Sequence, residues 1–261
     1  MPDVEKHPQG RFCWLELHTT DRAAASAFYT ALFDWTALDI PMGAGNTYTT
    51  FQLNGRAHGA ASQMLNPAHG SQKPAPNWQM FVAVDSADEM TARAIALGAD
   101  SPTGTGDVGD FGRMSIIRDP SGAVLSLWQA KRHKGLGIIG EPGAFCWAEH
   151  YTTNAVQAKQ FYSALFGWTM KDSPEYTEIH GTPYQGNKGA LGGILQIRPE
   201  WGGMPPCWVP YFQTTDCAAS VEKAKLLGGK CLHAPKQMEG VGTIAMLADP
   251  QGAGFWLFQP L

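Results

Sequence analysis

The chain has 261 residues, 44% of them hydrophobic and 16% charged, with a formal net charge of −4. A weakly acidic chain carries no electrostatic footprint for nucleic acid, and no run approaches the roughly 18 apolar residues of a membrane-spanning helix. The opening Met1-Pro2-Asp3-Val4-Glu5-Lys6-His7-Pro8 holds no apolar secretion signal, so the expectation is a cytoplasmic protein whose partner is neither nucleic acid nor a membrane.

Residues 12–20 alternate as a strand, with Cys13, Leu15 and Leu17 on one face and Trp14, Glu16 and His18 on the other. Asp21 reads as an N-cap, and Ala25, Phe28, Tyr29, Leu32 and Phe33 recur at helical spacing on one face, a stripe expected in the core. Three short strand candidates follow at 36–40, 48–53 and 59–65, broken by turn signals such as Asn54-Gly55. A loop over 66–77 precedes a new strand at 78–84 and a helix at 86–98, closed by Gly98. A strand at 113–118, a turn at Asp119-Pro120-Ser121-Gly122 and a strand at 123–129 complete the second unit. Residues 131–143, rich in glycine, read as a linker.

The whole pattern then repeats. Phe12-Cys13-Trp14-Leu15-Glu16 and Phe28-Tyr29-Thr30-Ala31-Leu32-Phe33-Asp34-Trp35 return as Phe145-Cys146-Trp147-Ala148-Glu149 and Phe161-Tyr162-Ser163-Ala164-Leu165-Phe166-Gly167-Trp168. Asp119-Pro120-Ser121-Gly122 returns as Asp249-Pro250-Gln251-Gly252. Matching landmarks at nearly fixed offsets indicate a duplicated domain, placed at 11–130 and 144–261. Each half reads as two β-α-β-β-β modules.

Four such modules, the Phe-Tyr-x-x-Leu-Phe-x-Trp helix and the Asp-Pro-x-Gly turn together resemble a tandem member of the vicinal oxygen chelate superfamily, which groups glyoxalases, bleomycin-resistance proteins and extradiol dioxygenases. The resemblance implies an α+β fold in which paired modules form a half-open eight-stranded barrel around a small molecule. It also implies a divalent metal chelating vicinal oxygens of the substrate, and lyase-like or hydroxylase-like activity. The chain departs from the pattern where the metal ligands belong. The first-strand positions hold Trp14 and Trp147, the second-module positions Gln79 and Val209, the last-strand positions Ser126 and Trp256, and the remaining position falls at Gln63 and Gln196. Indole cannot ligate a metal, and amide and hydroxyl groups are weak donors for zinc, iron or manganese, so no metal or other cofactor is expected at the usual site. A displaced divalent-metal site at His18 with Gln63 or Gln79 is the alternative.

Candidate chemistry therefore rests on the triplet Trp14, Glu16, His18 and its copy Trp147, Glu149, Tyr151. A carboxylate beside indole rings loses hydration, which raises its pKa toward that of a general base; the competing reading is a structural hydrogen-bonded carboxylate. Glu16 and His18 are the catalytic candidates, and Trp14, Gln63, Gln79, Ser126, Glu149 and Tyr151 the substrate-lining ones, with the first barrel favoured as the working pocket. His150 is read as a helix-facing histidine, whereas His58, His69, His133, His180 and His233 are expected at the surface. The five cysteines form no Cys-x-x-Cys pair and are expected reduced, with Cys13 and Cys146 buried and inert. Gly104-Thr105-Gly106-Asp107-Val108-Gly109 matches a dinucleotide fingerprint literally but follows a helix and opens onto a strand, the wrong context, and reads instead as a lid loop with Glu239-Gly240-Val241-Gly242 as its copy. The function expected is an enzyme of this superfamily acting on a small, partly aromatic or dicarbonyl molecule without the usual metal; the alternatives are a metal-free sequestering protein and a filled, structural one. A monomer or a homodimer fits equally.

Overall fold

The computed structural model describes residues 6–43, 46–64, 75–183 and 189–261. The first half runs β1 (Phe12–Thr19), α1 (Arg22–Phe33), β2 (Thr36–Pro41), β3 (Thr47–Leu53), β4 (Arg56–Gln63), then β5 (Asn77–Ala83), α2 (Ala87–Ala96), β6 (Thr105–Val108), β7 (Gly112–Arg118) and β8 (Val124–Ala130). The second repeats it as β9 (Phe145–Thr152), α3 (Ala155–Phe166), β10 (Thr169–Asp172), β11 (Thr177–His180), β12 (Ala190–Gln196), β13 (Cys207–Gln213), α4 (Cys217–Leu226), β14 (Lys230–Met238), β15 (Gly242–Ala248) and β16 (Gly254–Pro260). Two eight-stranded, unclosed sheets result, in the orders β2-β3-β4-β1-β5-β8-β7-β6 and β10-β11-β12-β9-β13-β16-β15-β14. This is the tandem β-α-β-β-β architecture expected from the repeat.

One expectation, the lid loop and its copy, needs correction. The glycine-bearing segment expected as a lid contains β6, paired antiparallel with β7 through Thr105–Ser115 to Val108–Gly112; Gly106 keeps the ladder's register, and Gly104 and Gly109 flank the strand with positive φ. In the copy, Met238 and Gly242 close the β14–β15 hairpin. In the first half Gly112 is required at the start of β7, because a side chain at that position would collide with the Trp128 ring.

Each α-helix start is held twice. Asp21, Ser86, Asn154 and Asp216 cap α1 to α4 by accepting from the amides of Ala24, Glu89, Gln157 and Ala219. A glutamine at the end of the fourth or last strand of each module then accepts from the first helical amide: Gln63 from Arg22 at 3.0 Å, Gln129 from Ala87 at 3.0 Å, Gln196 from Ala155 at 2.9 Å and Gln259 from Cys217 at 2.9 Å. These amides would otherwise lack an intrahelical partner.

By packing, the chain divides into two compact units: Met1–Trp14, Gln79–Gly135 and Trp147–Val209 form one, Leu15–Trp78, Leu136–Cys146 and Pro210–Leu261 the other. Modules two and three thus share a unit, as do modules one and four. The repeated landmarks meet inside these units. In the module-one/four unit the Tyr29 hydroxyl donates to Asp249 Oδ2 at 3.2 Å while Trp78 Nε1 donates to Tyr29 at 3.0 Å. In the module-two/three unit Tyr162 donates to Asp119 Oδ2 at 2.9 Å and Trp208 Nε1 to Tyr162 at 2.9 Å. The other oxygen of each aspartate closes its own turn: Asp119 Oδ1 accepts from Ser121 N and Ala123 N, Asp249 Oδ1 from Gln251 N, Gly252 N and Ala253 N. The helix motif and the Asp-Pro-x-Gly turn recur because each is the other's buried partner.

Burial also relocates two histidines. His58, expected at the surface, is 1% exposed, and its Nε2 accepts the Phe145 amide at 2.8 Å; burial pushes its pKa down to about 3, so the ring is neutral. His133 is half-buried, its ring 4.3 Å edge-on from Trp14. His233 is exposed, stacked on Trp256, and half-buried His180 lies 2.7 Å from Glu178. His69 lies outside the described residues.

Candidate ligand-binding site

In the module-one/four unit, β2, β3, β4 and β1 lie side by side, and their register aligns two cross-strand rows on one face. Ile40 pairs with Tyr48, Tyr48 with Ser62 and Ser62 with His18; Leu38 pairs with Thr50, Thr50 with Ala60 and Ala60 with Glu16. The other face is buried: Leu15, Leu17 and Phe51 are fully covered, and Trp35 of the helix–strand turn packs on Phe51. Strand alternation thus puts Glu16 and His18 on the open face, where their side chains retain 18% and 33% exposure.

Glu16 is the centre of a polar cluster. Its Oε1 lies 3.3 Å from His18 Nε2, and its Oε2 accepts the Tyr48 hydroxyl at 3.1 Å. Ser62 supplies a further hydrogen bond. Burial pushes the carboxyl up, but His18, Ser62 and Tyr48 together outweigh it and hold the group below its ordinary value. This corrects the expectation of a raised, base-like Glu16: the carboxylate is kept ionised and its acceptor sites are engaged. Tyr48 and Ser62 were missed in the sequence, although the alternation of 48–53 already sets Tyr48 opposite Phe51.

The remaining lining candidates lie apart from this cluster. Gln63 spends its amide on Arg22 N and on Thr20 O, so it anchors the start of α1. In the other unit Gln79 Nε2 donates to Ser126 Oγ at 3.1 Å, both side chains being buried. Trp14 is buried there against His133. Glu149 is 2% exposed and receives the Tyr176 hydroxyl at 3.5 Å, while Trp147 Nε1 donates to Tyr176 at 3.1 Å. Gly193 stands beside Glu149 in the β12–β9 register, and any side chain there would collide with the Tyr176 hydroxyl and the Glu149 carboxylate. Tyr151 is buried, with the Trp201 ring at 6.0 Å. A cavity of about 430 Å³ in the module-one/four unit is lined by Leu32, Phe33, Leu53, Thr214, Asp216 and Lys223 among others, none of them part of the Glu16 cluster.

A model of the glyoxalase-like domain matches residues 14–128. The putative glyoxylase CFP32 of Mycobacterium tuberculosis is 35% identical over 261 residues, covering 100% of this chain and 98% of that protein. The anthracycline biosynthesis protein DnrV of Streptomyces peucetius is 32% identical, covering 94% and 92%. The chain belongs to the glyoxalase/bleomycin-resistance/dioxygenase superfamily. Among solved structures, the Mn(II)-bound glyoxalase of Novosphingobium aromaticivorans aligns with a TM-score of 0.67 at 13% identity, over 96% of this chain and 82% of that one. The 2,3-dioxygenase LapB of Pseudomonas sp. KL28 gives 0.67 at 13% identity, over 96% and 93%. Likeness at this identity speaks to the superfamily fold alone.

The superfamily's metal does not fit the donors present at its usual positions. Gln79 and Ser126 are bonded to each other, Gln63 and Gln196 hold helix starts, and Trp14 and Trp147 offer no lone pair for coordination. Among the described residues no three His, Cys, Asp or Glu side chains cluster as a metal site. Also among them, no helix is long and apolar enough to cross a membrane.

Proposed function

We propose that this superfamily member is a metal-free binding protein that holds a small, partly aromatic molecule on the open face built by Glu16, His18, Tyr48 and Ser62. The observation carrying this reading is the fate of the chelating positions, whose amide and hydroxyl groups are spent on one another and on helix ends. The name of the Streptomyces relatives, anthracycline biosynthesis proteins, supports a flat ring system as the ligand type. The first half's face carries exposed aliphatic groups beside a polar cluster, the composition of sites that orient a ring with few hydrogen bonds.

Two measurements test it. Protein purified without chelator is expected to hold no stoichiometric metal, and flat aromatic compounds are expected to stabilise it, by about 2.7 kcal/mol at one hundred times the dissociation constant. Stoichiometric metal lost on His18→Ala would instead establish a displaced metal centre.

A further inference from the structure

On the same face, Ile40 of β2 is joined to His18 by the cross-strand row Ile40–Tyr48–Ser62–His18, and Leu38 heads the neighbouring row that ends on Glu16. Strands lie about 4.8 Å apart, so this row runs about 14 Å from end to end. Its two ends differ in chemistry. Leu38 and Ile40 are 57% and 38% exposed, an apolar ledge on an edge strand. At the other end the one-third-exposed imidazole of His18 turns Nε2 toward an ionised carboxylate. A carboxylate can only accept, so in the neutral ring Nε2 carries the hydrogen and the lone pair is left on Nδ1. The contact His18 makes with Glu16 is through Nε2, at 3.3 Å, which leaves Nδ1 as the acceptor of the ring. Glu16, by contrast, already receives His18, Tyr48 and Ser62 and would have to break those contacts to take a proton.

We propose that His18, not Glu16, is the proton acceptor of this face, and that its ligand is a flat compound of two or three fused rings bearing an acidic hydroxyl, a phenol or an enol. The rings lie along the row with their apolar edge on Leu38 and Ile40, and the hydroxyl meets His18 Nδ1. The ligand O–H bond breaks, an N–H bond forms at Nδ1 and the electron pair stays on the ligand oxygen; Glu16 balances the imidazolium that results. No other reactant is needed. Glu16, Tyr48 and Ser62 act as positioning residues by fixing the ring and its tautomer. The inference rests on the proposed binding reading and adds to it the ligand class and the group that ionises it.

Alizarin, whose visible band moves to longer wavelength when a hydroxyl proton is lost, serves as the probe, with unsubstituted anthraquinone as the control. In wild-type protein the bound dye is expected to show the ionised spectrum at a pH where free dye is protonated. His18→Ala and His18→Gln are expected to bind dye in its protonated form and roughly 10- to 100-fold more weakly, the loss of one charge-assisted hydrogen bond. Leu38→Ser with Ile40→Ser is expected to weaken both compounds without changing the bound dye's spectrum. Retention of the ionised spectrum in both His18 variants overturns the inference. So does equal binding of anthraquinone and alizarin, which leaves the binding reading standing. Failure to bind either compound, together with stoichiometric metal, sinks both. Unchanged melting temperatures separate loss of the contact from loss of the fold.

Discussion

Asp119 and Asp249 occupy the same place in the two compact units, yet only Asp119 has a histidine beside it. His150 Nε2 lies 3.1 Å from Asp119 Oδ2, and both side chains are at most 1% exposed. The repeat position of His150 is Leu17. Burial pushes both carboxyls up, but at Asp119 His150, Ser121 and Tyr162 outweigh it and lower the pKa, whereas Asp249, with only neutral donors, stays raised. Asp119→Asn removes the carboxylate that His150, Ser121 and Tyr162 favour and should cost about 1–3 kcal/mol. Asp249→Asn loses charge-assisted bonds of about 1 kcal/mol each but also relieves the desolvation of an uncompensated charge, so its net cost should stay within about 1 kcal/mol. The pH signs are opposite. Asp119 contributes stability above its unfolded pKa and loses it as pH falls through the lowered folded value; Asp249 favours the fold in acid and loses that contribution as pH rises through its raised value. Urea denaturation of both variants, in wild-type and His150→Leu backgrounds, measures this directly. Equal costs for the two asparagine variants, or a cost of Asp119→Asn that His150→Leu leaves unchanged, would refute the reasoning.

Three further outcomes are expected. Gln63→Ala and Gln196→Ala should each cost about 1 kcal/mol, as loss of a helix-start contact does, while leaving alizarin affinity unchanged; a change in affinity for Gln63→Ala would return that residue to the ligand site. Gly193→Ala should destabilise by about 1–3 kcal/mol in thermal or urea unfolding because Tyr176 and Glu149 must move, and a neutral result would place those side chains elsewhere. His58→Leu should cost about 1–3 kcal/mol for the orphaned Phe145 amide. Because the folded His58 resists protonation, its contribution to stability is complete above the unfolded value near 6.5 and is lost as pH falls toward about 3; the leucine variant should show a flatter stability curve across that window.

Much of the fold was legible because the duplication supplied two readings of every element. The alternation of residues 12–20 separated Leu15 and Leu17 from Glu16 and His18 correctly, since a strand with one buried face must place them so. The missed strand β6 is short and mostly exposed, without the hydrophobic alternation that marks a half-buried strand, so its glycines dominated the local signal. The site was harder to read because its properties depend on partners from other strands. Glu16 looked desolvated when judged beside the indole of Trp14, but His18 on its own strand face, joined by Ser62 and Tyr48 that register brings alongside, reverses the shift. His58 sits among glycine and alanine residues that suggest a loop, and only the fold brings the Phe145 amide to it.

The two halves agree where they hold the units together and differ where a ligand could be met. The tyrosine–aspartate–tryptophan contact, whose loss leaves buried polar groups unpaired, and the glutamine at each helix start, which takes up an amide without an intrahelical partner, appear in both. The cross-strand rows do not match. Leu38–Thr50–Ala60–Glu16 in the first half corresponds to Lys171–Glu178–Gly193–Glu149 in the second. An apolar ledge beside one carboxylate has become a charged row in which Glu178 is already paired with His180 at 2.7 Å. A flat, weakly polar ring that gains by covering Leu38 would have to desolvate Lys171 and Glu178 on the second face, at a cost its own surface cannot offset. The proposed ligand should therefore bind with one site per chain. Calorimetry returning two equivalent alizarin sites would mean that the residues separating the two rows do not govern recognition.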